Sequence, residues 1–333
     1  MNSNRLEISR LIGSYKLTQI LATACKMNLF DLLKDKACSL NELTRQTKAN
    51  PRRLSRLLDA LILINLIKKV GKAYKNDPAA RYLCENDPLT LKHFAIMSGA
   101  DWYWQPWSQL DQAVKSDRSA FREIHGTSAF LYMEKSKIAA DQFHRAMSSN
   151  VRAVPTCIRR LINMKEVKNI LDLGGGTGVL GIELARVFKD TEVSIGDLAH
   201  AKSFSLNRIK KSGIKKRIEF IEVDFFKPIR GRYDLIVLRH ILHDWSDKKA
   251  IQLLSNCARA LSKNGKIAVI ERVKSKEDNL MTVLTDIEMM VEMEGGKERS
   301  KSDFLSLFKK TKLRVGAKQY FSPIDRTIFI LTQ

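Results

Sequence analysis

Two of the six histidines lie in the stretch YDLIVLRHILHDWSD, which spans residues 233–247. An apolar run that predicts a β-strand leads directly into His240 and His243. A neutral imidazole has a pKa near ~6.5, so a histidine at this position can accept a proton from a hydroxyl group. The HxxH spacing could also hold a metal ion, but no nearby acidic pattern resembles a third ligand, and no metal is expected.

A second candidate site is the glycine-rich segment NILDLGGGTGVLGIELAR at residues 169–186. From Gly176 the spacing reads GxGxxG, and Asp197 at the end of the next strand would complete a dinucleotide site. The same segment also reads DxGxGxG, from Asp172 to Gly178. A carboxylate at Asp172 would repel a pyrophosphate, whereas S-adenosylmethionine carries an ammonium and a sulfonium and no phosphate. The acid therefore favours S-adenosylmethionine as the cofactor.

Three aspartates occupy equivalent places in the pattern. Asp172, Asp197 and Asp224 each close one of three successive predicted strands. Doubly wound sheets bind their ligands in the crevice at the carboxyl ends of the strands. The three acids therefore indicate a ligand site along one edge of a sheet.

The elements that must position these residues are read from the C-terminal part of the chain, residues 161–333, where predicted strands alternate with helices. The strands read VKNILDL, EVSIGDL, RIEFIEVD, YDLIVLR, GKIAVIERV and TIFILT. Apolar strands separated by helix-length segments indicate a parallel sheet that is covered on both faces. The fold class is therefore α/β, with a doubly wound, Rossmann-like sheet.

The N-terminal part, residues 1–90, is helical with short polar breaks. Ser39 opens one short helix, and the next begins with Asn50 at the cap position and Pro51 just inside. The following segment, with Gly71 between apolar residues, predicts a small hairpin. Helix, turn, helix and hairpin is the layout of a winged-helix domain. Residues 91–160 are helical again and form a connector that is expected to contribute to a ligand pocket.

The charge balance raises a different class of function. The chain has 58 basic and 36 acidic residues, a net charge of +22, so a winged helix could bind DNA as a regulator. The second helix of the motif, however, is crowded with leucine and isoleucine on several faces. Such a helix favours a protein partner, and a homodimer is expected rather than a nucleic-acid complex.

Four segments carry a resemblance to a known family: LDLGGGTG, LRHILHDWSD, VIERV and DIEMMVEMEGGKERS. Over nearly its whole length the sequence resembles the S-adenosylmethionine-dependent small-molecule O-methyltransferases with an N-terminal winged-helix dimerisation domain. Plant caffeic acid and flavonoid enzymes, acetylserotonin methyltransferase and bacterial antibiotic-tailoring enzymes belong to this family. The resemblance implies methyl transfer to a hydroxyl of a small, aromatic secondary metabolite.

The resemblance also implies where the cofactor binds. The glycine loop would cradle its methionine half, Asp197 would take the ribose hydroxyls, and Asp224 would lie beside the adenine. Arg239 stands where the family usually has a lysine, which keeps the charge but not the geometry. The implied cofactor-binding residues are Asp172, Gly174, Gly176, Asp197, Leu198, Asp224, Phe225 and Arg239.

For catalysis the resemblance implies that His243 is the general base. Glu271 and Glu298 would bracket it, since a carboxylate that accepts from one ring nitrogen fixes the tautomer and leaves the other nitrogen free. Met293 stands where plant relatives often carry an asparagine, which suggests a flatter or more apolar acceptor. The residues implied to line the acceptor site are Phe143, Met147, Asp244, Met289, Met290 and Met293.

The remaining expectations concern the cell and the reaction. Five widely spaced cysteines without a CxxC pair, and a start that lacks an apolar signal-peptide core, are typical of a cytoplasmic protein. No apolar run is long enough to span a membrane. The same fold and cofactor could instead serve N-methylation, or cofactor-assisted hydroxylation or cyclisation. These reactions stay open beside the O-methyltransferase, and the DNA-binding regulator stays open as a different class.

Overall fold

The structure is a computed structural model that describes residues 3–148, 151–275 and 280–333. The chain divides into two compact units, one made of residues up to 104 with 145–148, the other of residues 105–144 with those from 151 onward. The domain boundaries expected near residues 90 and 160 stay predictions. Within the described residues, no helix is both long and apolar enough to cross a bilayer.

The first unit has the predicted winged-helix layout. Ser39 caps one helix through a capping box with Glu42, and the Asn50 side chain accepts a hydrogen bond from the Arg53 amide at the start of the next. A hairpin follows, and it joins a three-stranded sheet in the order β1–β3–β2. Its helices are α1 (Ser3–Gly13), α2 (Tyr15–Lys26), α3 (Leu29–Leu32), α4 (Leu40–Thr47), α5 (Pro51–Leu63), α6 (Lys92–Ser98) and α7 (Asp101–Trp104), and its strands are β1 (Cys38–Ser39), β2 (Ile67–Val70) and β3 (Ala73–Asn76).

The second unit begins with a helical region, as the sequence predicts. Its helices are α8 (Leu110–Lys115), α9 (Ala120–His125), α10 (Ala129–Lys135), α11 (Lys137–Met147) and α12 (Val154–Arg159). Helix α11 crosses the division between the units, because its residues from 145 onward belong to the first unit.

A seven-stranded sheet forms the centre of the second unit, in the order β11–β12–β8–β7–β4–β5–β6. Its strands are β4 (Asn169–Leu173), β5 (Glu192–Asp197), β6 (Ile218–Glu222), β7 (Tyr233–Arg239), β8 (Leu261–Glu271), β11 (Arg314–Phe321) and β12 (Arg326–Thr332). Strands β4 to β8 are parallel. The predicted doubly wound sheet is therefore confirmed for these five strands.

The far edge of the sheet differs from the prediction. The segment TIFILT forms β12, which runs antiparallel to β8 instead of continuing the parallel set. It does so because β11 precedes it and the two form an antiparallel hairpin through a short turn at residues 322–325. Strand β11 was not predicted, since it is a largely exposed edge strand with little apolar sequence.

Both faces of the sheet are covered by helices. Successive strand residues point to opposite faces, so Ile170 packs in one apolar cluster with Leu184, while Leu171 packs in the other with Leu253. The covering helices are α13 (Val179–Val187), α14 (Lys202–Lys211), α15 (Asp247–Arg259) and α17 (Lys301–Lys310). Helix α16 (Leu280–Glu292) and the short parallel strands β9 (Val273–Lys274) and β10 (Arg299–Ser300) complete the unit.

Candidate active site

The candidate site lies where the strand order of the sheet reverses. Strand β4 has β5 on one side and β7 on the other, and the chain leaves these strands in opposite directions along the sheet. Such a switch point opens a crevice at the carboxyl ends of the strands. The glycine loop follows β4 and the histidine segment follows β7, so the two motifs found in the sequence meet at this crevice.

Two glycines show why the loop after β4 excludes side chains. Gly174 has φ of +75°, and a Cβ there would overlap the Ile241 side chain. A Cβ at Gly175 would lie 2.7 Å from the Oδ2 atom of Asp172. The loop is therefore packed tightly against its own strand end and against the segment after β7, and its backbone borders the crevice.

Asp172 lies beneath this loop at the end of β4. Its side chain is buried, and its Oδ2 atom has no hydrogen-bond partner within the described residues. Burial raises the pKa of this carboxyl to about 7, although the Gly181 amide donates to it. A buried acceptor without a partner, next to a glycine cradle, fits a ligand that brings a positive charge. The residues present thus fit the cofactor that the sequence predicts.

Asp197 ties the glycine loop to the next strand. One carboxylate oxygen accepts a hydrogen bond from the Gly176 amide, and the other accepts one from the Leu198 amide, both at 2.7 Å. Burial raises the pKa of this carboxyl, and the two amides oppose that shift. Each oxygen keeps a second lone pair, so Asp197 can still accept from ribose hydroxyls while it holds the loop.

Asp224 and Phe225 lie after β6, at the far end of the same edge. Asp224 accepts from the Phe226 amide at 3.0 Å and pairs with Lys227 at 3.4 Å. Phe225 is buried and belongs to an aromatic cluster in which Phe226 meets Trp245 edge to face at 4.7 Å between ring centres. Phe226 and Trp245 were not among the predicted site residues, although both stand beside residues that were.

Arg239 ends β7, between the glycine loop and the histidine segment. Burial, and then the charge of Arg326, lowers the pKa of its guanidinium to about 10, while Asp172 and Glu271 oppose that shift. Two carboxylates within electrostatic reach keep the guanidinium charged at neutral pH. The structure therefore brings Arg239 to the crevice, as the resemblance implied.

His243 is buried in a single helical turn, Leu242–Asp244, directly after β7. Its Nδ1 atom lies 3.0 Å from Glu298 Oε1, and its Nε2 atom lies 3.4 Å from Asp244 Oδ1. Burial alone would lower the pKa of His243, but three neighbouring carboxylates, those of Asp244, Glu271 and Glu298, raise that pKa to about 10. The ring is thus oriented by Glu298 and surrounded by negative charge.

Glu271, at the end of β8, acts on the backbone of the same turn. Its Oε1 atom accepts from the amides of Ile241 and Leu242, at 3.0 and 2.8 Å. It also contributes to the electrostatic rise of the His243 pKa. The two glutamates therefore have different contacts, since Glu298 bonds the imidazole and Glu271 holds the segment that carries it.

Glu271 also supplies the acid that the sequence did not show as a third metal ligand. Ligand atoms of His240, His243 and Glu271 all lie within 4.8 Å of one another. His240 Nε2, however, lies 3.1 Å from Arg326 Nε, and burial followed by the neighbouring guanidiniums lowers the His240 pKa well below its usual value. The guanidinium of Arg326 already occupies His240 Nε2, and its positive charge disfavours a metal cation at that ligand. The absence of a metal stays a prediction.

Arg299 is a site residue that sequence reasoning missed. Its side chain is fully buried, and its guanidinium donates to the carbonyl oxygens of Leu242 and Trp245, at 2.5 and 2.7 Å. It also binds Asp247 Oδ1 through Nε and Nη2, at 3.0 and 2.8 Å. Arg299 therefore holds both sides of the turn that carries His243. The only signal for it was its place beside Glu298 in GGKERS.

A histidine pair beside the glycine loop was also missed. His144 Nε2 lies 3.2 Å from His200 Nδ1, and a Cβ at Gly176 would lie 3.2 Å from His144 Nδ1. Burial, and then the charge of His200, lowers the pKa of His144 to about 4, so this ring is neutral at physiological pH. The pair packs against the outer side of the predicted cofactor loop.

The predicted acceptor residues fall in different places. Phe143 meets Phe130 edge to face at 6.3 Å, and Phe130 in turn stacks on Trp245 at 5.5 Å. Met289 is buried and Met293 is half-buried, whereas Met290 packs against the buried apolar cluster of α8 and α9. Met147 belongs to the first unit. Their roles in binding an acceptor stay predictions.

Comparison with known proteins identifies the family. Residues 107–313 match the O-methyltransferase domain, and residues 9–86 match the O-methyltransferase dimerisation domain. The first match covers more than half of the chain, so the chain belongs to the O-methyltransferase family. The resemblance drawn from the sequence is thereby confirmed.

Particular relatives agree with this assignment. The chain is 28% identical to a phenazine O-methyltransferase of Lysobacter antibioticus, over 90% of this chain and 88% of the relative. It is 24% identical to the mitomycin biosynthesis 6-O-methyltransferase of Streptomyces lavendulae, over 92% and 87%. Among solved structures, LaPhzM superposes with a TM-score of 0.90 at 25% identity, covering 98% of both chains. Human N-acetylserotonin methyltransferase, solved in complex with S-adenosylmethionine, gives 0.88 at 23% identity over 100% and 98%.

The chain is therefore an O-methyltransferase, and S-adenosylmethionine is its methyl donor. The predicted fold class, a C-terminal Rossmann-like sheet that follows a mostly helical N-terminal domain in the chain, is confirmed by both the structure and the comparisons. The alternative interpretation of the glycine loop as a dinucleotide-binding site is therefore wrong.

Proposed function

We propose that this enzyme methylates a hydroxyl of a small aromatic metabolite, with His243 as the general base. The observation that carries the proposal is the position of His243, oriented by Glu298 at the same crevice as the glycine loop. The predicted residues that hold the cofactor lie on one side of that crevice, and the predicted base lies on the other.

When bound, the cofactor supplies a methyl group on a sulfonium, which is a good leaving group. The tasks left to the protein are to align the acceptor and to remove its proton. Glu271 and Arg299 support both tasks, because they fix the backbone turn that carries His243. A rigid turn holds the imidazole in one place while the acceptor approaches.

The acid–base balance of the cluster suits a phenol. A phenolic hydroxyl has a pKa near ~10, and the carboxylates around His243 raise its pKa to about 10 despite its burial. A proton shared between the acceptor oxygen and Nε2 is then held about equally by both. The negative charges of Glu298 and Asp244 stabilise the imidazolium that results.

The acceptor class is inferred from the aromatic side chains and from the relatives. Phe143, Phe130 and Trp245 form a continuous aromatic surface near the histidine turn. Relatives over most of the chain are named for phenazine, myricetin and acetylserotonin substrates. A flat aromatic acceptor suits both observations.

A homodimer is part of the proposal. Helix α1 buries no side chain within the chain, and it exposes Leu6, Ile8, Leu11 and Ile12. A helix with so much exposed apolar surface favours a second protein surface, and the match to the dimerisation domain covers part of it. A monomer at micromolar concentration in analytical ultracentrifugation would contradict the dimer.

The five cysteines are free and buried, which fits the cytoplasm that the sequence predicts.

One experiment tests the reaction. The purified protein is titrated by calorimetry with S-adenosylmethionine, S-adenosylhomocysteine and NAD, and then incubated with the methyl donor and a panel of phenols. Binding of the two sulfur compounds, and a product heavier by about 14 Da with the methyl group on oxygen, are expected. His243→Ala should bind the cofactor normally and turn over about ~10²-fold more slowly, while His93→Ala, an ion-paired histidine of the first unit, should match wild type. Methylation on nitrogen, or equal turnover by His243→Ala, would overturn the proposal.

A further inference from the structure

Helix α16 carries a glutamate, Glu292, whose side chain is buried without a partner within the described residues, unlike the acidic residues near it. Asp286 pairs with Lys274 at 2.8 Å and accepts from the Glu298 amide, and Glu294, just past the helix, pairs with Arg122 at 2.8 Å. Glu292 is 3% exposed, and both of its carboxyl oxygens are buried without a hydrogen-bond partner within the described residues. Neither the proposed base nor the predicted cofactor contacts use it.

A second glutamate lies one turn before it. Glu288 is four residues from Glu292, so the two side chains are neighbours on the helix surface. Burial raises the pKa of Glu288 to about 7, and burial followed by the charge of Glu288 raises that of Glu292 well above its ordinary value. A buried acid, Glu292, thus lies beside a half-buried one, Glu288, whose charge disfavours ionisation of Glu292.

The remaining faces of the helix show where these acids lie. Ile287, Met290 and Val291 share the face that packs on α8 and α9 in an apolar cluster. The two glutamates stand on a different face, beside Met289, which is one of the predicted acceptor residues. The two glutamates therefore do not belong to the apolar face that packs on α8 and α9.

The end of the helix leads directly to the catalytic turn. The Lys297 amide donates to the His243 carbonyl at 2.8 Å, and a Cβ at Gly296 would lie 3.0 Å from that same oxygen. Glu298 lies within electrostatic reach of Glu288 and bonds the His243 ring. Glu288 therefore lies within electrostatic reach of the residue that orients the proposed base, and Glu292 lies one helical turn beyond Glu288.

A buried carboxyl without any partner is rare in folded proteins, because the lost hydration is not recovered. In a chain with 58 basic residues, a structural partner for Glu292 would be easily supplied. Since no residue of the described ranges bonds either oxygen, we look for a partner outside the chain. The chemistry that best satisfies both oxygens of the Glu292 carboxyl, with a second acid beside it, is a positively charged nitrogen with several donors, since it restores both the charge balance and the hydrogen bonds.

We propose that Glu292, with Glu288 beside it, binds a protonated nitrogen of the acceptor, so that the substrate is a hydroxylated aromatic compound that also carries a basic amine. The inference rests on the proposed O-methyltransferase function, because it places the amine at one end of the acceptor and the reacting hydroxyl at His243. A neutral donor such as a second hydroxyl could bond one oxygen of Glu292, but it would not balance the charge of a carboxylate there.

The test uses three phenols of matched shape and different charge: tyramine, 4-propylphenol and 3-(4-hydroxyphenyl)propionate. Binding of each to the full-length protein is measured by calorimetry in the presence of S-adenosylhomocysteine. Tyramine is expected to bind at least ~10-fold more tightly than 4-propylphenol, as a charge-assisted hydrogen bond would produce, and the propionate is expected to bind most weakly. Glu292→Gln should abolish the preference for tyramine, and Glu288→Gln should reduce it.

Glu294→Gln is the matched control. Glu294 lies two residues after Glu292 but is exposed, so the substitution removes one negative charge from the surface instead of from the buried site. It should keep the preference for tyramine. Equal binding of tyramine and 4-propylphenol by wild type, binding of none of the three, or an unchanged preference in Glu292→Gln would overturn the inference. Melting temperatures and S-adenosylhomocysteine binding of each variant establish that it is folded, and Glu288→Gln provides a second reading if Glu292→Gln does not fold.

These outcomes are separate from those that test the proposed function. Ligand preference is measured without turnover, so it can be present in a protein that methylates no phenol. Conversely, transfer of a methyl group to neutral phenols by wild type, with no preference for the amine, would leave the O-methyltransferase intact and remove the amine.

Discussion

His243 Nδ1 lies 3.0 Å from Glu298 Oε1, although 55 residues separate the two in the chain. Their contact joins the turn after β7 to the segment after α16. This contact favours a proton on Nδ1, donated to Glu298, and leaves Nε2, which lies 3.4 Å from Asp244 Oδ1, as the ring nitrogen proposed to take the proton of the acceptor. The tautomer of the proposed base is set by a residue that touches neither the cofactor nor the acceptor in the proposed mechanism.

Replacing Glu298 by glutamine should therefore change catalysis through His243. The variant keeps an acceptor for Nδ1 but removes one of the charges that raise the His243 pKa. We expect kcat to fall about 10- to 100-fold with cofactor affinity unchanged, and the pH profile to move to lower pH. Steady-state kinetics between pH 6 and 10 measure both effects. Glu294→Gln is the control, and an unshifted profile in Glu298→Gln would contradict the positioning role.

The pH dependence of wild type follows from the same cluster. The reactive form needs an unprotonated Nε2, while the carboxylates raise the His243 pKa to about 10. We expect kcat/KM to rise with pH from about 7 toward 10. A rate that is flat above pH 7, with substrate and cofactor saturation checked at each pH, would mean that another group accepts the proton.

The contribution of His243 to folding stability should fall as the pH rises, whereas kcat/KM should increase. Because the His243 pKa is raised above its unfolded value, the protonated ring favours the folded state fully below about pH 6.5. That contribution is lost as the pH rises through about 10. The difference in melting temperature between wild type and His243→Ala should thus be largest near pH 6 and shrink toward pH 10. A difference that does not depend on pH would show that the ring is not charged in the folded protein.

The buried carboxyl of Asp172 should lower the stability of the free protein and strengthen the binding of the cofactor. Its burial raises its pKa to about 7, so the ionised form destabilises the folded protein above that pH. Asp172→Asn should leave the free protein at least as stable at pH 8, by up to about 1–3 kcal/mol, while S-adenosylmethionine binds at least ~10-fold more weakly. Calorimetry and thermal melts are the two measurements. Glu192→Gln, at the exposed start of β5, is the control, and unchanged affinity in Asp172→Asn would refute its role at the cofactor.

Much of the fold could be predicted because its signals are local. The five parallel strands are buried apolar runs, and the winged helix is marked by Ser39, Asn50 and Pro51 at its helix starts. Strand β11 could not be predicted, since its edge position leaves most of its residues exposed and its sequence polar. The direction of β12 depended on β11, so it was missed for the same reason.

The site, too, could be predicted only in part. His243 and the two glutamates could be found from motifs, but their contacts could not, because Glu271 binds backbone amides that the sequence does not distinguish. Glu292 could not be found at all. A glutamate in an amphipathic helix is ordinarily solvated, and only the structure shows that this one is buried and that no other described residue bonds it.

Arg299 gives the last prediction. It is fully buried and binds the carbonyl oxygens on both sides of the His243 turn as well as Asp247. Arg299→Met keeps most of the side-chain volume but removes the buried donor to the Trp245 and Leu242 carbonyls, so we expect a loss of about 1–3 kcal/mol in the free energy of unfolding. Because the turn also positions His243, kcat should fall in the protein that remains folded. Urea unfolding and kinetics of Arg299→Met are compared with Arg122→Met, which breaks an exposed pair with Glu294. The exposed pair should contribute less than about 1 kcal/mol, and equal losses in the two variants would show that Arg299 does not hold the turn.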